Sequence, residues 1–218
     1  RPATQYPEMD ANAGSPAFHD RAKPTESRAA YVAYLMAGNL VRQGRLKDSL
    51  QYYRTALDAD PKFDEARNDA ALVYRELGAL EMADQCAGRA IDIDPGNPVY
   101  HHTRGEIYQT RGMALLQRSI DLEERARGME AIHQAVKCYG KTLDLAQKEG
   151  RLAEHAACFF RLAEICYFVN RDPVGARQYW RKVLSLHTPT PDLDNVLHDQ
   201  GAPSAQRPLD VYRWQTQS

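Results

Sequence analysis

Two pairs of residues have the types and spacing to do chemistry. His102 and Glu106 lie four residues apart, and His155 and Cys158 lie three apart. On a helix either interval puts both side chains on one face, a turn apart. Each pair could offer two ligands to a metal ion. A zinc site needs three or four, and no third ligand stands at a suitable interval. Four cysteines occur, at 86, 138, 158 and 166. None has a histidine directly beside it in sequence, so an imidazole could activate a thiol only if brought up in space. A Cys-x-x-Cys pair, a Gly-x-Gly-x-x-Gly turn, a phosphate loop and a Gly-x-Ser-x-Gly elbow are all missing. Solvated helix faces account for both pairs. The expectation is a chain with no catalytic centre, no metal and no cofactor.

The elements that would carry these residues come from an internal repeat. Offset by 34 residues, Leu40 meets Tyr74, Gly44 meets Gly78, Ser49 meets Ala83 and Ala56 meets Ala90. Asp60-Pro61 meets Asp94-Pro95, and a third copy opens with Gly105, Tyr108 and Gly112 at the same offset. Each unit reads as two helices. Tyr31 to Gln43 and Lys47 to Ala59 form the first pair, the one stopped by Gly44 and the other by Asp60-Pro61. Gly112 is expected to stop a helix as Gly44 and Gly78 do. Small residues at Ser49, Ala56, Ala83 and Ala90 let the paired helices approach closely.

Through Ala37, Leu40, Gly44, Ser49, Tyr53, Ala56 and Pro61, and again through Ala71, Tyr74, Gly78, Ala83, Ala87, Ala90 and Pro95, the chain resembles the tetratricopeptide repeat family. Arg104-Gly105-x-x-Tyr108-x-x-x-Gly112 opens the third unit in the same pattern. One departure is the signature tryptophan, whose places hold Ala33, Arg67 and His101; Phe160 restores an aromatic in the last unit. The resemblance implies an all-α, right-handed superhelix of about four helical hairpins, in units of about 30–63, 64–97, 98–150 and 151–187 within a domain over 29–187.

The third unit is stretched. Ala135, Tyr139, Thr142 and Leu143 fall 18 residues later than an unbroken copy would place them. Eighteen residues make five helical turns, so an insertion of that length keeps the helix facing. It is expected to project as a ridge presenting Leu116 and Ile120. Its turn could fall at Gly128 or nearer Asp121, or Met113 to Arg127 could be a separate helix. The fourth unit turns at Asp172-Pro173 in place of glycine. Residues 1–28 and 188–218 are proline-bearing and read as extended tails. The second tail offers a short helix from Asp192 to Gln200, then Leu209, Val211, Tyr212 and Trp214, expected to cap the last hairpin unless Trp214 anchors a partner.

With 28 basic against 29 acidic side chains the net charge is −1. That balance gives no basic surface for nucleic acid, and no apolar run approaches the ~20 residues of a membrane span. Free thiols favour a reducing, cytoplasmic setting; export or anchoring through a segment upstream of Arg1 stays open. The family resemblance implies a protein partner, a peptide or helix, held on the concave face lined by the first helix of each pair. The face residues are Tyr31, Tyr34, Val41 and Arg42; Asn68, Leu72 and Arg75; His102, Glu106 and Gln109; and Arg161, Ile165 and Phe168, with Cys158 on the same face. Apolar groups at both ends flank a polar middle, which is expected to be exposed. The Lys and Asn clamp of chaperone-binding members is missing, its places being held by Tyr34, Gly38 and Asp69. The function this implies is an adaptor or assembly subunit; a permanent structural subunit or an assembly chaperone is the alternative.

Overall fold

A computed structural model describes residues 25–187; the tails, with the expected short helix from Asp192 and the aromatic residues Tyr212 and Trp214, lie outside the described residues. Eight α-helices form four antiparallel hairpins, with no strand among the described residues. They are α1 Arg28–Arg42, α2 Leu46–Ala59, α3 Asp64–Glu76, α4 Leu80–Ile93, α5 Pro98–Arg118, α6 Leu122–Lys148, α7 Ala156–Glu164 and α8 Pro173–His187. A 3₁₀ turn, Leu152–His155, leads into α7, and a π turn, Ile165–Val169, extends it.

The starts and stops follow from local chemistry. Ser27 accepts a hydrogen bond from the Ala30 N–H, Asn97 from Val99, and Asp121 from Glu124, so each caps the helix behind it. After α1, α3 and α6 the chain reverses through Gly44, Gly78 and Gly150, with φ of 73°, 77° and 70°. Such angles suit glycine because it has no Cβ to clash. The next N–H reaches back to Leu40, Tyr74 and Ala146 in turn, closing the same backbone loop at each turn. In the fourth hairpin Arg171 takes the left-handed angle at φ 55°, and Asp172 caps α8 through Val174 and Gly175.

Gly112 departs from expectation. It stops nothing: it lies buried inside α5, where an added Cβ would come within 2.8 Å of the Gly128 carbonyl. Gly128 is equally internal, inside α6. The two glycines bring the long helices of the third hairpin, 21 and 27 residues, into close contact. The turn falls at residues 119–121, the nearer of the two sequence options to Asp121. Leu116 packs against the core while Ile120 and Leu122, 98% and 84% exposed, sit at the tip, so the apolar ridge is confined to the turn.

Packing is alanine-rich where helices meet. Ala30, Ala33, Ala37, Ala56, Ala66 and Ala70 close around Tyr53 and Phe63 in the first core. Ile132, Tyr139, Cys158, Leu162 and Ile165 form a second core joining α6 and α7. Burying Phe63 or Tyr139 contributes roughly 1.5–3 kcal/mol each. The outer face of α1 is different. Val32, Leu35 and Met36 fall one 34-residue period before Ala66, Asp69 and Ala70, yet Ala66 and Ala70 are buried in the core shared with α2 while the three α1 residues are about half exposed (47%, 50% and 49%).

Candidate functional site

The first helices of successive hairpins stand side by side and are joined by polar contacts. Between α1 and α3 the Tyr34 hydroxyl donates to Asp69 at 2.8 Å, and the Asn68 amide donates to the other carboxylate oxygen at 3.4 Å. The Tyr34 ring is fixed by Phe63 and Tyr53, at 4.9 and 6.1 Å between centroids. Burial pushes the Asp69 carboxyl up to about 6, against the opposing pull of the two hydrogen bonds. Burial, with Asp69 beside it, also drives the Tyr34 hydroxyl far above its usual range.

Further along, Glu106 on α5 is gripped from three sides. Arg75 of α3 bonds one oxygen; Arg161 of α7 bonds the other at 3.1 Å, and His102 Nε2 stands 3.6 Å from it. Arg75 also donates to Glu76 at 2.7 Å, and Arg161 to Glu164 at 3.0 Å. Gln109 donates to Glu164 and accepts from the Tyr139 hydroxyl, which ties the row to α6. Burial would raise the Glu106 carboxyl, but His102 and the two guanidiniums outweigh it and hold it well below the usual carboxylate range. His102 is moved the other way. Burial pulls the imidazole down, but Cys158 and Glu106 outweigh it and lift it to about 9.

His102 Nδ1 meets the Cys158 sulfur at 3.0 Å. The order Cys158–His102–Glu106 is that of a nucleophile, a base and an orienting carboxylate. Cys158 is 0% exposed and His102 4%, so the contact is closed off from solvent. The contact pins α5 to α7. No group of three or more His, Cys, Asp or Glu placed to hold a metal exists among the described residues.

Several sequence expectations are corrected by burial. His102, His155 and Cys158 do not lie on solvated faces; all three are buried. Asn68 and His102, in the polar middle expected to be exposed, are buried, and so is Ile165 at the apolar end. Neighbouring first helices come close enough that these side chains fill the seam between them. Arg75, Glu106, Gln109 and Arg161 are partly buried, their polar ends already paired within the row. Tyr31, Arg42 and Phe168 are exposed, and Tyr34, Val41 and Leu72 partly so. Glu164 and Tyr139 belong to the same network and were not anticipated. The missed contact, His102 with Cys158, joins residues 56 apart; its one sequence signal is that both lie on the inner face of consecutive units.

Residues 40–107 match the tetratricopeptide repeat sequence family. No curated protein matches the chain. Similar solved structures include the first tetratricopeptide domain of Spaghetti (RPAP3) bound to the HSP90 peptide SRMEEVD, at 18% identity and a TM-score of 0.45, covering 61% of this chain and 94% of that one. The human IFIT1 dimer with m7Gppp-AAAA is 16% identical with a TM-score of 0.48, covering 72% of this chain and 42% of that one, so this chain spans less than half its length. MamA 41-end from Desulfovibrio magneticus RS-1 is 13% identical with a TM-score of 0.39, covering 75% and 97%. Repeats of this kind are in general protein-interaction modules on non-catalytic scaffolds, and no helix among the described residues is long and apolar enough to cross a membrane. The match over residues 40–107 covers less than half of the chain; the 34-residue period and the first two helix pairs, which reverse at the left-handed glycines Gly44 and Gly78, agree with it, and the described residues are all-α.

Proposed function

We propose that the chain is a non-catalytic binder of a protein partner, holding a peptide or helix along the row formed by α1, α3, α5 and α7. The observation that carries this reading is the state of that row. Its charged side chains are paired and fixed before any partner arrives, while Tyr31, Val41, Arg42, Leu72 and Phe168 keep exposed or half-exposed surface beside them. A pre-fixed wall loses little side-chain entropy on binding, and apolar groups between polar ones are the make-up of a peptide-binding surface. The role is that of an adaptor or an assembly subunit. Photo-crosslinking residues placed at Leu72 and Phe168 should capture one and the same partner from the native host, and residues placed at Gln51 and Lys141, on second helices, should not. Equal capture from both sets would end this reading.

A permanent place in a larger complex is the second reading, favoured by the half-exposed Val32, Leu35 and Met36 on α1. An obligate subunit should associate or precipitate when purified alone, and Leu35→Lys with Met36→Lys should restore a monomer; a wild-type chain that stays monomeric at high concentration removes this reading.

A further inference from the structure

A recess of about 470 Å³ opens along α4, with Arg67 of α3 and Arg104 of α5 on its walls. Three guanidiniums line it: Arg67 from α3, Arg89 from α4 and Arg104 from α5. The place of Arg67 is legible in the repeat. Arg67 stands at the tryptophan place of the second unit, one period before His101. Both side chains do one shared job, since Arg67 donates to the Pro61 carbonyl at 2.7 Å and His101 meets the Pro95 carbonyl at 3.0 Å. An imidazole has few donors left after that contact, whereas a guanidinium has five N–H groups in all. The Nε of Arg67 is buried and has no hydrogen-bond partner. Being shut off from solvent, that Nε is out of a ligand's reach, so the donors Arg67 offers the recess are the terminal N–H groups that Pro61 does not take.

The other two arginines are only partly matched. Arg104 donates through Nε to Asp84 at 2.8 Å. Arg89 is largely exposed, with Asp92 3.9 Å away, a pair too loose and too wet to hold it. Three guanidiniums against the carboxylates of Asp84 and Asp92 leave the recess one positive charge in excess. Cys86, on its wall, adds no negative charge, because burial pushes the thiol up more than Arg67 draws it down.

We propose that this recess is a binding site for a phosphate-type dianion, either free inorganic phosphate or the phosphate of a phosphorylated side chain, with Arg67, Arg89 and Arg104 as donors. Guanidinium forks match such oxygens in geometry and charge. The volume falls within the roughly 300–1,000 Å³ of small-ligand sites. The residues that line the recess are distinct from those assigned to the proposed partner groove, although α3 and α5 contribute to both.

The test is a titration of the full chain at constant ionic strength with inorganic phosphate, with O-phospho-L-serine, and with acetate and chloride as controls, followed through the arginine Nε–H signals by NMR. Arg67 and Arg89 should shift saturably with both phosphate probes. Arg89→Gln, a surface change that leaves folding intact, should weaken binding about fivefold or more, and Arg67→Lys should do the same. Asp92→Asn, which removes a competing carboxylate, should strengthen it about threefold. Tighter binding of phosphoserine than of inorganic phosphate assigns the site to a phosphorylated side chain, and the reverse order to free phosphate. No saturable shift, an equal response to acetate or chloride, or an unchanged titration in Arg89→Gln would overturn the proposal.

Discussion

Asp69 and Glu106 are two carboxylates in one row of helices, both partly buried, and their surroundings drive them in opposite directions. Asp69 is held by a phenol hydroxyl and an amide, neither of which carries charge, so burial wins and its pKa rises to about 6. Glu106 is held by two guanidiniums and an imidazole, which keep its carboxyl well below the usual carboxylate range. Residue type does not decide the charge of a groove wall; the partner each neighbouring helix brings does. One end of the row is therefore locked by charge, and the other can change charge near pH 6.

The largest effect should come from Glu106→Gln. It leaves Arg75 and Arg161 facing each other without their shared carboxylate, and should cost about 2–4 kcal/mol in denaturant unfolding. A loss under about 0.5 kcal/mol would mean the three-sided grip is ornamental. Asp69→Asn should behave oppositely. The Asp69 pKa is raised in the folded chain, so its contribution is fully present below 3.8 and is lost as pH rises through about 6. Between pH 5 and 8 the wild type should lose about 1–2 kcal/mol that Asp69→Asn does not lose. Identical slopes in the two proteins would contradict the assignment.

His102 gives the next effect. Its pKa is raised from 6.5 to about 9, so the stability it contributes is complete below 6.5 and fades as pH rises through about 9. His102→Gln should flatten that alkaline limb, read as melting temperature against pH. Tyr34→Phe should be smallest, about 0.5–1.5 kcal/mol for one hydrogen bond. It should also move the Asp69 titration further upward, because the hydroxyl that favours the charged form is gone.

The comparison also shows what a sequence can carry. Gly44 and Gly78 were legible as turns because a 34-residue period repeats them, and their backbone angles demand glycine. Gly112 sits at the same period and does something else, because glycine serves a close helix crossing as well as a stop. Only the opposing Gly128 backbone separates the two roles. The inner-face spacing put Tyr34, Arg75, His102, Glu106, Gln109 and Arg161 on one row, and they do lie there. It did not show that neighbouring first helices close over Asn68, His102 and Ile165, because burial depends on how tightly two distant segments stack. The bond between His102 and Cys158 belongs to the same class, a contact between units that no local pattern encodes.

The most direct test of the two-ended row is a carboxyl-detected NMR titration that follows Asp69 and Glu106 in the same sample from pH 3 to 8. The Asp69 signal should shift with a midpoint near 6, while Glu106 should stay at its ionised position throughout. Two ordinary midpoints close to 4 would show that neither neighbourhood governs its carboxylate, and would contradict the account.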